Sequence, residues 1–134
     1  MTKKPTSEAE QFVRSRRSSF GASFQGLVFV FKTQKNTWIH LAATVAVFLI
    51  SAYLELELLE WVALLLVMGL VWVAEFLNTA MEVIVDLASP DIHPLAKISK
   101  DVGAASVLIA AFLSVIIGVL ILGTAIIEKF NLFG

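Results

Sequence analysis

The chain has 134 residues, of which 58% are apolar and 16% charged, with no cysteine and a net charge of −1. Soluble domains average about half apolar and a quarter charged, so this composition, with a mean hydropathy of +0.87, points to an integral membrane protein with little soluble mass. The length suits a single domain over residues 1–134, and the lack of cysteine excludes disulfides and thiolate chemistry.

Residues 1–7 are polar and read as disordered. The first 36 residues hold no apolar core of the kind a cleaved signal peptide carries, so the N-terminus is expected to be retained. Over 7–34 the pattern predicts a helix lying on the membrane. Phe12, Val13, Phe20, Phe24, Leu27 and Phe31 fall on one side of the helical wheel, Arg14 lies well away, and Arg16 and Arg17 can snorkel past the apolar side. Gly21 and Gly26 weaken this helix or let another approach it. A basic anchor and a contribution to a site are equally compatible with it.

Three apolar spans follow. The first, 38–54, is short for a bilayer core, which needs about 20 residues. Trp38 and Tyr53 suit its two interfaces. The second covers 58–87, and its uncharged part, from Trp61 to Ala74, is only about 21 Å long at 1.5 Å per residue. Ser89-Pro90 ends that helix, and His93-Pro94 opens the next, with proline suited to a first turn. The third span, 98–127, carries small residues (Gly103, Ala104, Ala105, then Ala110, Ser114 and Gly118) that let helices pack closely in lipid. Seven of the ten basic residues precede the first span (Lys3, Lys4, Arg14, Arg16, Arg17, Lys32 and Lys35). The 88–101 loop adds Lys97 and Lys100, whereas the 54–60 loop carries Glu55, Glu57 and Glu60. The positive-inside rule then predicts a cytoplasmic N-terminus and 88–101 loop, with the 54–60 loop and the C-terminus outside.

The informative segment is Glu75-Phe-Leu-Asn78-Thr-Ala-Met-Glu82-Val-Ile-Val-Asp86. Its polar residues are spaced by three, four and four, so on a helix they share one stripe within an arc of about 80° and along about 16 Å of axis. Ionisable groups at membrane depth are costly and mark functional sites. The stripe starts before the helix has crossed the core, which sets Glu75 at the inner edge of the hydrocarbon and Asp86 in the interface. A short loop makes the helix that starts at Pro94 an antiparallel neighbour, so Lys97, Lys100 and Asp101 stand beside the stripe. Three helices enclose little by themselves, and oligomerisation is expected.

Carboxylates beside a lysine at a membrane surface can bind a hard cation, supply a general base and, with lysine, neutralise phosphate. These are the parts of phosphoryl transfer, although the chain has no GxxxxGK loop and no kinase-like signature. Duller readings stand beside each role. Glu75 could pair with a buried base, Asn78 with another helix, and Glu82 with a lysine. Asp86 could be simply solvated, and His93 simply a loop residue.

The run from Ala74 through Glu75, Asn78, Glu82, Asp86, Asp91, His93 and Lys100 to Asp101 closely resembles the signature of the prokaryotic diacylglycerol kinase and undecaprenol kinase family. The likeness extends from about Ser19 into the third span, and the wording from Ser89 to Lys97 is nearer the undecaprenol kinase branch. It implies an all-α membrane protein with an interfacial amphipathic helix and three spans, homotrimeric in a bacterial inner membrane, that uses ATP and Mg²⁺ to phosphorylate a lipid hydroxyl. The resemblance makes Glu75 the catalytic base and Glu82 the glutamate that holds the metal on the ATP phosphates. Asp91, His93, Lys100 and Asp101 then border the nucleotide, Asn78 and Asp86 support the site, and Ser19 and Phe20 meet lipid substrate with Glu75. Asn36 and Ile39-His40-Leu41 match the entry to the first span. Gln34 stands where the family usually has a second metal-binding glutamate. Its carbonyl oxygen still offers a ligand, but one negative charge is gone and metal affinity should fall. Ala22 replaces a usual tyrosine, which leaves the nucleotide base less packing.

Two other functional classes compete with a lipid kinase. One is a catalytically weakened scaffold that binds lipid, which Gln34 favours. The other is an ion-conducting oligomer, which the Lys100-Asp101 pair and the half-length stripe disfavour. The partners expected are MgATP, a membrane lipid alcohol (diacylglycerol or undecaprenol), the bilayer and further copies of the chain, with no nucleic acid.

Overall fold

A computed structural model describes residues 8–89 and 93–132, with side chains from residue 19 onward. Four helices occupy the described residues: α1 Glu8–Thr33, α2 Asn36–Leu54, α3 Leu58–Ala88 and α4 Pro94–Phe130. They form two compact units, residues 1–35 and 36–134. In the first unit, α1 carries exposed Phe20 and Phe24, and Gln34 continues its last turn by donating its N–H to the Val30 carbonyl at 2.9 Å.

In the second unit α2, α3 and α4 are each long and apolar enough to cross a membrane. α2 has 19 residues, about 28 Å at 1.5 Å each, and just matches a hydrocarbon core of about 30 Å. α3 and α4 have 31 and 37 residues and outrun that core. Most large apolar side chains face outward, among them Leu49, Leu66, Leu77, Ile84 and Leu108. That is the arrangement lipid requires, since acyl tails solvate Leu and Ile as well as a protein core does.

The helix ends show why the chain turns where it does. Beyond α2, Glu55 adopts φ 60°. Its N–H reaches the Ala52 carbonyl at 3.3 Å, and the Leu56 N–H reaches Ser51 at 3.3 Å. This is a Schellman stop with glutamate in the place glycine usually takes. α4 ends in the same way on Asn131, at φ 50°. Before α3, Glu60 reaches back to accept the Glu57 N–H at 2.8 Å. α4 opens with Pro94, and the ring Nδ1 of His93 accepts from the Leu95 N–H at 3.2 Å. At the opposite end of α4, Lys129 donates to the Tyr53 carbonyl, pairs with Glu55 at 3.6 Å and lies 4.6 Å from the Tyr53 ring centroid. It ties the ends of α2 and α4 together.

The antiparallel α3–α4 pair is the main contact of the unit, and Leu64, Met68 and Val71 of α3 and Val107 and Ala110 of α4 are buried. Gly103 marks a close approach of the two helices. A Cβ there would strike the Asn78 amide oxygen, whereas a Cβ on Gly69 or Gly118 meets nothing within 4 Å. Asn78 is buried and bonded to Glu82, so it yields only at a cost. Gly103→Ala is expected to destabilise the unit by about 1–3 kcal/mol, as overpacking does. Gly69→Ala should be neutral or stabilising by up to about 1 kcal/mol, because alanine is the better helix former. Thermal melts in detergent check both, and equal melting temperatures for the two variants would remove the close contact.

Candidate functional site

The acidic stripe lies on α3 with a gradient of burial that follows its length. Glu75 is 1% exposed and Asn78 7%, Glu82 is half-buried and Asp86 exposed. A helical phase alone would leave all four equally covered. The gradient arises because α2 and α4 enclose the stripe at Glu75 and leave it progressively open towards the end of α3.

Asn78 donates its amide to a Glu82 carboxylate oxygen at 3.1 Å, and the Thr79 hydroxyl donates back to the Glu75 carbonyl at 2.9 Å. The Asn78 amide oxygen is buried with no hydrogen-bond partner among the described residues. Asn78 lies against the other helix at Gly103, and it orients the neighbouring carboxylate.

Lys100 on α4 forms an ion pair with Asp86 at 2.5 Å, and Lys97 pairs with Asp101 one turn along the same helix at 3.3 Å. Asp86 is therefore more than a solvated surface group. All four of these side chains are accessible, Lys100 the least so, at 38%. Such pairs contribute little stability, about 0–1 kcal/mol, and stay available to a ligand. His93, read as bordering the nucleotide, is the N-cap of α4. Asp91 lies outside the described residues. Ser19 and Phe20 are exposed on α1, and Gln34 is half-buried just beyond it, in the N-terminal unit.

Sequence reasoning missed one residue. No lysine or arginine stands between Lys35 and Lys97 to act as the buried base that could pair with Glu75. The structure sets His40 of α2 there, with Nε2 3.8 Å from a Glu75 carboxylate oxygen. The signal was available. His40 lies fourteen residues before the end of α2 and Glu75 seventeen after the start of α3, so a tight antiparallel turn brings them to similar depth. The register is fixed by the Trp72 indole N–H, which donates to the Thr44 hydroxyl at 3.0 Å, and by Phe48 edge-on to Trp61 at 4.8 Å. His40 also lines one end of an apolar groove of about 590 Å³ that runs between the three helices past Val71, Ser114 and Gly118 to Ile126.

No cluster of three or more histidine, aspartate or glutamate side chains close enough to cage a metal occurs among the described residues. A single carboxylate, as Glu82 provides, nevertheless fits Mg²⁺, which commonly binds through one or two carboxylates and the phosphates of a bound nucleotide.

The chain is similar to known proteins over most of its length. Undecaprenol kinase of Bacillus subtilis is 40% identical over 103 residues, covering 77% of this chain and 84% of that protein. Diacylglycerol kinase of Escherichia coli is 36% identical over 103 residues, covering 72% and 79%. Diacylglycerol kinase of Synechocystis is 43% identical over 101 residues, which span 75% of this chain but only 58% of that relative's length. The family described as prokaryotic diacylglycerol kinase matches residues 21–122, a stretch that takes in the whole stripe, His40 and Lys100. The chain therefore belongs to the prokaryotic diacylglycerol kinase family.

Proposed function

We propose that this protein transfers the γ-phosphoryl group of ATP to the hydroxyl of a membrane lipid alcohol, diacylglycerol or undecaprenol, at the cytoplasmic face of a bacterial inner membrane. The observation that carries this reading is the buried Glu75 at the head of a stripe that opens, within three helical turns, onto the accessible Lys100. An apolar substrate and a charged one require such a gradient. The lipid hydroxyl arrives from the hydrocarbon, the triphosphate arrives from water, and the two have to meet at the boundary.

In this reading Glu75 accepts the hydroxyl proton. The lipid oxygen forms its bond to the γ-phosphorus as the bond to the bridging oxygen breaks, and ADP leaves with that oxygen. Lys100 exchanges Asp86 for nucleotide phosphate, a stronger charge-assisted partner. Asp91, His93 and Asp101 border the nucleotide in this reading. Glu82, held by Asn78, is the residue that would bind Mg²⁺, which supplies charge neutralisation on the phosphates. Gln34 contributes a neutral oxygen where a relative's glutamate would bring a charge, and Ser19 and Phe20 meet the lipid. The three-helix unit exposes most of its apolar surface, and a homotrimer with sites shared between neighbours is the assembly we infer from the family. The one-sided distribution of lysine and arginine favours a cytoplasmic N-terminus.

The assay is transfer of label from ATP to diacylglycerol or undecaprenol in detergent or lipid with Mg²⁺. Wild-type protein is expected to phosphorylate lipid, and Glu75→Gln and Glu82→Ala to lose at least about a hundredfold in kcat, for Glu75 the lower end of what a positioned base contributes. Full turnover by Glu75→Gln would remove it as the base. A wild type inactive on every lipid alcohol, with Gln34→Glu active, would favour the silent scaffold instead.

Gln34→Glu should lower the Mg²⁺ concentration needed for half-maximal activity, and an unchanged titration takes Gln34 out of the site. Lys100→Met should raise the KM for ATP more than Asp86→Asn does, with neither changing stability by more than about 1 kcal/mol. Equal KM values for the two variants would make Lys100 only the partner of Asp86.

A further inference from the structure

Glu75 is 1% exposed in a segment that has no lysine or arginine. A carboxylate taken out of water needs a donor or a cation close by, or its charge is too costly to keep. His40 is the basic group the structure provides, 3.8 Å away. The His40 Nε2 is itself buried and finds no hydrogen-bond partner among the described residues. The site thus pairs a carboxylate in need of a donor with a ring nitrogen that has nothing else to donate to. Their separation exceeds a hydrogen bond by less than 1 Å, a gap that a small carboxylate rotation closes. Catalytic hydrogen bonds are commonly long before substrate binds.

The ring is held in place. Trp72 meets His40 edge-on, at 6.4 Å between centroids and 67° between planes, and is itself fixed by the Thr44 hydroxyl. Thr44 and His40 lie four residues apart on α2, and Trp72 and Glu75 three apart on α3. One turn of each helix therefore forms a bracket whose last member is the imidazole.

We propose that His40 is a positioning residue for Glu75. Its Nε2–H engages one carboxylate oxygen and leaves the other to face the lipid hydroxyl. This rests on Glu75 being the base, as proposed above. A carboxylate with two equivalent free oxygens samples several rotamers about its last torsion. Anchoring one oxygen selects the orientation in which the other can accept a proton, and misplacement by about 1 Å can cost a factor of about 100 in rate. The role needs only a donor at the Nε2 position, so a neutral imidazole suffices.

The test is a set of variants assayed as the intact membrane protein with MgATP and diacylglycerol or undecaprenol, whichever wild type phosphorylates. His40→Leu fills the space without a donor, and His40→Ala removes the ring altogether. His40→Gln restores an N–H near the position of Nε2. The expected result is a loss of about 10–100-fold in kcat for His40→Leu and His40→Ala, with the KM for ATP within about twofold of wild type. His40→Gln should recover most of the rate. If His40→Ala does not fold, His40→Leu and His40→Gln carry the comparison.

In a Glu75→Asp background, where the shorter carboxylate has already withdrawn from the ring, His40→Leu should cost less than about threefold more, because groups that act as one unit are not additive. A fully multiplicative loss, or a His40→Gln as impaired as His40→Leu, would make His40 a packing residue and overturn the proposal. If Glu75→Gln is inactive while every His40 variant keeps wild-type kcat, only this inference fails. If Glu75→Gln keeps full turnover, the base assignment fails with it.

Discussion

A carboxylate buried at membrane depth sets the terms for the rest of this molecule. Glu75 is almost wholly enclosed, and its desolvation has to be offset by neighbours that the fold brings to it. That need explains the turn between α2 and α3, which delivers His40 to the same level. It explains the Thr44–Trp72 hydrogen bond, which locks the register of the two helices. It also accounts for Gly103, whose missing side chain lets α4 close over Asn78 without a clash. None of these features contributes much alone, but together they enclose an acid where an ordinary transmembrane helix would carry leucine.

The burial gradient along α3 turns that enclosure into a path. Within three turns the environment passes from dry protein at Glu75, through the half-covered Asn78–Glu82 pair, to the accessible Asp86–Lys100 ion pair. The groove beside His40 continues the apolar side towards the other face of the membrane. A chemistry that joins a lipid headgroup to a nucleotide fits this order, with the least polar partner at the buried end. The ion pairs at the open end are weak enough to be exchanged for phosphate, which a tightly structural salt bridge would resist.

Much of this was legible in the sequence. The three apolar blocks became α2, α3 and α4, with bounds displaced by only a few residues, because long hydrophobic periodicity is the strongest signal a chain carries. The 75–86 stripe was visible from spacing alone, and its family signature from the residue types. Pairwise contacts were harder to read. No lysine or arginine lies near Glu75 in the sequence, and His40 reads there only as part of the entry to the first span. Counting residues back from the 54–58 turn would have found it. The sequence set Lys97, Lys100 and Asp101 beside the stripe but not which acid each would choose. That depends on the relative rotation of α3 and α4, set by Gly103 against Asn78. The left-handed Glu55 has no signal in composition, since glycine, or less often asparagine as at 131, is the residue that marks such stops.

The central claim is that the polar stripe of α3 faces protein and not lipid. The chain contains no cysteine, so single cysteines carrying a spin label can be placed along residues 71–88 in bilayers without removing native ones, and collision with dissolved oxygen read at each position. The account predicts low oxygen accessibility at 71, 78 and 82 and high accessibility at 73, 77, 81 and 84, in phase with a helix. High accessibility at 78 and 82 would put the carboxylate stripe among the acyl tails and contradict the account.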